Sequence, residues 1–138
     1  MICVVDASVV VKLLFPEPGS AALRRIVADG AIFIAPDLII PEACTAAWVR
    51  HRGGRATADQ VQDMPFRLRE VLSHVVPSTQ LATRAAEIAL LLDHPVYDCF
   101  YIALAESREI ELLTADNRLI AKMADSRWQS LLQDWDRD

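Results

Sequence analysis

Along the chain, short runs that are apolar at every position alternate with longer stretches in which apolar residues recur every three or four positions. The runs ICVV (2–5), AIFIA (31–35) and IELLT (110–114) are too short for helices, and unbroken apolar character at that length predicts strands buried on both faces. A helix is expected after Asp6, carrying Lys12. In 19–29, Leu23, Ile26 and Val27 share a face while Arg24, Arg25 and Asp29 stay outside, as in an amphipathic helix. Residues 37–52 open on Asp37 as a cap and stop at Gly53-Gly54. Thr57 with Gln60 makes a capping-box pattern for a helix over 58–75, with Val61, Met64, Leu68, Val71 and Leu72 as its apolar stripe. Pro65 inside that span is predicted to kink or divide it. Helices over 80–92 and 97–108 precede the third run, a last helix starts at Asp116, and the tail is expected to add a short edge strand at 129–133. Strands alternating with helices predict an α/β fold with a parallel sheet covered on both faces.

Composition narrows the class. The 138 residues, 53% hydrophobic and 24% charged, with four glycines and seven prolines, fit one folded domain over 1–138, without repeats, linkers or low-complexity segments. No apolar run reaches the ~18 residues of a membrane span, and the first residues lack the basic flank and cleavage site of a signal peptide, so a cytoplasmic protein away from membranes is expected. Cys3, Cys44 and Cys99 are odd in number and lie in apolar segments, which predicts reduced core thiols. His51, His74 and His94 show no zinc-type pairing and read as solvated or capping residues. The net charge of −5 means that a nucleic-acid role needs a local basic patch or a bound cation.

The candidate chemistry lies in lone acids. Asp6 interrupts ICVVDASVVVKLL where the first strand hands over to a helix, a position that suits an N-cap as well as a functional group at the carboxyl edge of a parallel sheet. Asp116, in LLTADNRL, occupies the matching place after the last strand. Asp98, in HPVYDCFYIALAE, enters a helix among apolar and aromatic neighbours, and Glu42 is the single charged residue of 38–49. Brought together these four would repel one another, and a divalent cation is the natural remedy. Oxygen donors without His or Cys favour Mg2+ or Mn2+, and such a site suits phosphodiester hydrolysis.

These segments resemble the PIN-domain ribonucleases, specifically the VapC-type toxins of bacterial toxin-antitoxin pairs. VVDASVVVKLL resembles the family's first strand with its D-x-S/T signature, APDLIIPEACTAAW its second motif, YDCFYIALAE its third and LLTADNRL its T-x-D motif, in order from residue 1 to about 124. Pro41 stands before the glutamate where many members carry Asn. The resemblance implies a PIN-like α/β/α sandwich with a short, mostly parallel sheet. It also implies a metal-dependent endoribonuclease, the toxin of a type II pair, with Asp6, Glu42, Asp98 and Asp116 as catalytic acids. Asp6 and Asp98 would hold the metal directly, and Glu42 and Asp116 directly or through water, with Ser8 and Thr114 in support. A homodimer and a small cognate antitoxin are further implications of the family.

For contact with RNA, the strongest basic cluster is Arg50, Arg52 and Arg55, with His51, at the end of the helix that carries Glu42. Cations at a helix C-terminus also simply complement the dipole. Lys12 is the remaining candidate. Tyr97, Phe100 and Tyr101 read as core rather than as stacking platforms. Two other readings compete. An aspartyl phosphotransferase of the D-x-D type would need an acid at position 8, where Ser8 stands, and a catalytically silent PIN-like RNA- or protein-binding module would keep the fold without the chemistry.

Overall fold

In the computed structural model, which describes residues 1–135, the first apolar run forms β1 (Ile2–Val5), buried from Cys3 onwards. It pairs in parallel with β2 (Ile32–Pro36) on one side and with the two-residue β4 (Leu112–Leu113) on the other. A further strand, β3 (Leu72–Val76), pairs in parallel with β2, so the sheet runs β3-β2-β1-β4. Consecutive buried residues in β1 and β2 mean that both faces of the central strands are covered, which is why they show no alternation. The winding reverses at β1, with β2 and β3 to one side and β4 to the other. The crevice beyond the carboxyl ends of β1 and β4 is therefore the switch point of the topology, the usual place for a site in an open parallel sheet.

The helices are α1 (Ala7–Leu14), α2 (Ser20–Ala28), α3 (Ile39–Arg52), α4 (Ala58–Val71), α5 (Ala82–Leu92), α6 (Val96–Arg108) and α7 (Asn117–Ala124). Helix α6 is the central one: Tyr101 to Ala105 are buried without interruption, as expected of a helix packed on all sides, and it packs against β1 and β2. Among the described residues no single helix is long and apolar enough to cross a membrane; α5 and α6 pass that test only jointly, with a 112° bend between them.

Several expectations need correction. The helix predicted over 58–75 ends at Val71, and Leu72–Val76 is a strand; Val71 and Leu72 fit a helical stripe, which carried the pattern past the true boundary. Ser73 is the extra residue at an irregularity in the register, its hydroxyl donating to the carbonyl of Phe33 at 3.2 Å. Pro65 sits inside α4 without dividing it, while the Thr57–Gln60 capping box forms as expected. Asp37 does not cap α3, whose N-cap is Leu38. Its carboxylate accepts instead from the backbone N–H of Ser78 at 3.0 Å and from the Ser78 hydroxyl, which ties the loop after β3 to the end of β2. The tail forms a short 3-10 turn (Gln129–Leu131) and then a single parallel bridge, Leu132 to Leu112, in place of a full strand. Its last three residues, 136–138, lie outside the described residues.

Candidate active site

Asp6 ends β1 with an extended backbone and caps α1, accepting from the Val9 N–H at 3.3 Å. It is 6% exposed. The Ser8 hydroxyl donates to its Oδ1 at 2.5 Å, and the Thr114 hydroxyl, from the end of β4, donates to its Oδ2. The polarity of both bonds is set from behind: Ser8 Oγ accepts from the Ala115 N–H at 2.9 Å, and Thr114 Oγ1 from the Asp116 N–H at 3.0 Å. Each hydroxyl therefore has its own proton free for the carboxylate. Burial pushes the Asp6 carboxyl up to about 6; the Ser8, Thr114 and Val9 donors oppose that rise, and Asp116 adds a weaker repulsion.

Asp116 caps α7 through Oδ1, accepting from the N–H groups of Arg118 and Leu119 at 2.9 and 3.4 Å. Glu42, in the first turn of α3, accepts at Oε1 from the hydroxyl of Tyr101 at 2.9 Å. Burial raises the Glu42 carboxyl to about 7; Tyr101 restrains it, while the charges of Asp98 and Asp6 push it further up. Tyr101 is fully buried. Its phenol is driven far above the ordinary range by burial and by the nearby Glu42, Asp6 and Asp98, so it remains a donor. Asp98, in the first turn of α6, places Oδ2 2.6 Å from Nε2 of His94, whose side chain is 7% exposed. His94 follows Asp93, which ends α5 in the left-handed region at φ 53°.

The four acids thus come from the ends of β1 and β4 and from the first turns of α3 and α6, and repulsion links them in the series Asp98, Glu42, Asp6 and Asp116. Burial, rather than this repulsion, is the main cause of both raised carboxyls. Among the described residues no three His, Cys, Asp or Glu side chains stand close enough to hold one ion together. Equally, none of the four acids has a Lys or Arg as ion-pair partner there. A cleft of about 530 Å3, walled by Leu38, Pro41, Thr45 and the exposed Tyr97, reaches Glu42.

Of the basic residues picked from the sequence, Lys12 donates to the carbonyl of Pro18 at 2.8 Å and pairs with Glu17 at 3.5 Å. Arg50 pairs with the same Glu17 at 3.0 Å and lies over the ring of Phe15. Arg52 stacks on Trp48, and Arg55 is exposed without an ion pair among the described residues. Two polar partners escaped the sequence reading. Tyr101 is core, as its setting beside IALA predicts, but nothing in the sequence points to its bond with Glu42, 59 residues away. His94 did carry a signal, its i, i+4 spacing to Asp98, which a search for histidine pairs passes over.

Comparison with known proteins shows the family. Residues 3–125 match the model of the PIN domain family. The chain is 32% identical to ribonuclease VapC3 of Pyrobaculum aerophilum over 86% of its length and 92% of that protein's. It is 33% identical to ribonuclease VapC1 of Mycobacterium tuberculosis, over 86% and 89% respectively. Among solved structures, a Pyrobaculum aerophilum protein superposes with a TM-score of 0.66 at 24% identity, covering 88% of this chain and 79% of the other. VapC20 of Mycobacterium tuberculosis, described as a toxin that cleaves the sarcin-ricin loop, superposes with a TM-score of 0.64 at 19% identity, covering 88% and 94%. VapBC2 of Rickettsia felis, solved bound to a fragment of promoter DNA, gives 0.64 at 12% identity, covering 99% and 100%. The chain belongs to the PIN-domain family, among the VapC ribonucleases.

Proposed function

We propose that the protein is a metal-dependent endoribonuclease that hydrolyses RNA phosphodiester bonds at the acidic crevice, and that it is the toxin of a type II toxin-antitoxin pair. The observation that carries this reading is the convergence of four acids from separate elements on the switch point of the sheet, unneutralised by any lysine or arginine among the described residues. The four carboxylates have the donor chemistry of a hard cation, Mg2+ or Mn2+, and two of them ionise with difficulty where they stand; because no three of them stand within reach of one ion among the described residues, water completes the set in this proposal. Asp6 and Asp98 are assigned as direct ligands, with Glu42 and Asp116 joining directly or through water. When bound, such an ion neutralises the phosphate, helps ionise the attacking water and stabilises the leaving oxygen. The chain's own part is to orient and to restrain. Ser8 and Thr114 fix both oxygens of Asp6, Tyr101 fixes Glu42, and His94 fixes Asp98. An antitoxin partner and a homodimer belong to the same proposal, and the kinship with VapC proteins supports it.

The test is cleavage of a structured RNA pool with Mg2+ or Mn2+ against EDTA. Asp6→Asn is expected to lower the metal-dependent rate by more than the ~10–100-fold typical of losing a group behind a ligand. Cleavage that persists in EDTA and in Asp6→Asn would exclude the metal mechanism. Tight RNA binding without cleavage in the wild type would instead mark a silent binding module.

A further inference from the structure

The cations singled out in the sequence lie at the end of α3 and on α1, and Glu17 engages two of them. A different set borders the acidic crevice. A cleft of about 830 Å3 opens between the turn joining α5 to α6 and helix α7, and Arg118, Lys122 and Arg127 line it. Arg118 and Lys122 are spaced i, i+4 and so share one face of α7. Both are exposed, and neither makes an ion pair among the described residues. Arg127 lies over the ring of Trp128. Asp93 and Asp125 also border the cleft, which leaves positive charge in excess.

The cleft adjoins the acids on both walls. His94, on one wall, is bonded to Asp98 at 2.6 Å. Helix α7, which supplies the other, begins at its cap Asp116. At about 1.5 Å per residue, Arg118 and Lys122 stand roughly 3 and 9 Å along the axis from Asp116. A chain of net charge −5 repels a polyanion on average, so binding one requires a local group of cations. A row of unpaired cations leading from the acidic crevice is what a nucleic-acid backbone requires.

We infer that this cleft carries the RNA strand to and from the acidic crevice, with Arg118 and Lys122 each holding a backbone phosphate. The inference rests on the ribonuclease reading above and deepens it by naming the strand's path. Phosphate contacts position the strand without reading bases, so the effect of losing them is uniform across RNA sequences. An acidic protein segment is the other polyanion that would fit, but the bond from His94 to Asp98 and the start of α7 at Asp116, which set the cleft beside the acids, favour RNA.

The experiment measures binding of a fluorescein-labelled single-stranded RNA by the full chain in EDTA over a range of salt, together with steady-state cleavage in Mn2+. Arg118→Ala/Lys122→Ala is expected to weaken binding about tenfold and to reduce the salt slope by about 1.4, at ~0.7 per phosphate on single strands. It should raise KM for cleavage about tenfold with little change in kcat. Arg24→Ala/Arg25→Ala on α2, which removes the same charge elsewhere, should change the slope by less than half as much. Wild-type cleavage combined with an unchanged slope and KM in the α7 variant would overturn the cleft assignment alone. Labelled decaglutamate, titrated in the same way, supplies the acidic-peptide arm: its binding lost in the α7 variant while RNA binding stays intact would give the cleft to an acidic protein partner and overturn the assignment likewise. A wild type that neither binds nor cleaves RNA would overturn the ribonuclease reading and this inference with it.

Discussion

Asp6 is kept usable by its donors. Burial favours its neutral form, yet three donors converge on the carboxylate, two of them hydroxyls whose protons are directed at it by backbone amides behind. Glu42 has one such donor, and that makes Tyr101 the sharpest test at this scale. Tyr101→Phe keeps the ring and removes the bond that restrains the Glu42 carboxyl, which then rises further above about 7. The acidic limb of the pH–rate profile should shift to higher pH, with stability lower by about 1–3 kcal/mol, as for a buried acceptor left without its donor. A profile identical to wild type would show that this bond does not tune Glu42. The acids themselves were legible because each is a lone charge inside an apolar segment. Their partners were less so: an aromatic residue beside IALA gives no sign of a polar handle pointing across the fold, and His94 looked isolated because its partner is a carboxylate rather than a second imidazole.

At the level of elements, the strand-helix alternation revealed the class and nearly every helix. The missed strand, β3, directly follows α4, and Leu72 satisfies the helical stripe and the strand alike. Asp37 misled for a similar reason, since an acid before a helix is usually a cap while this one accepts from Ser78 across the sheet edge. The tail matched no motif, yet it fastens the strand that carries Thr114. The Gln133 N–H donates to the carbonyl of Leu112 at 3.0 Å, and the buried Trp135 donates its indole N–H to the carbonyl of Thr114 at 2.9 Å. Such long-range fastening leaves no periodic trace in sequence. Trp135→Phe should therefore cost about 1 kcal/mol in urea unfolding, the usual net value of one hydrogen bond, and slow cleavage severalfold by loosening Thr114 against Asp6. Stability and rate both equal to wild type would show that the indole contact holds nothing.

For the molecule as a whole, the raised acids dictate how stability depends on pH. An acid whose pKa is higher folded than unfolded binds its proton more tightly in the native state, so stability falls as pH rises between the two values. Asp6, going from 3.8 to about 6, should by itself cost the metal-free protein about 3 kcal/mol across that interval, at ~1.36 kcal/mol per pKa unit. Glu42 adds in the same sense up to about pH 7. Glu106, held low chiefly by Arg84, acts oppositely, but below the ordinary glutamate range. In EDTA the melting temperature should drop between pH 4.5 and 7.5, and millimolar Mn2+ should restore it more at the higher pH. A melting temperature that rises with pH in EDTA would contradict the burial of Asp6.

The sheet order also sets a schedule. Thr114 reaches Asp6 across 108 residues of chain, because β1 completes its pairing only with β4. During synthesis at about 5–20 residues per second, Asp6 waits roughly 5–20 s for that partner to be made. A ribosome part-way through the message therefore holds an N-terminal strand without its crevice, and on the proposed mechanism a product stopped before β4 is expected to leave RNA uncleaved.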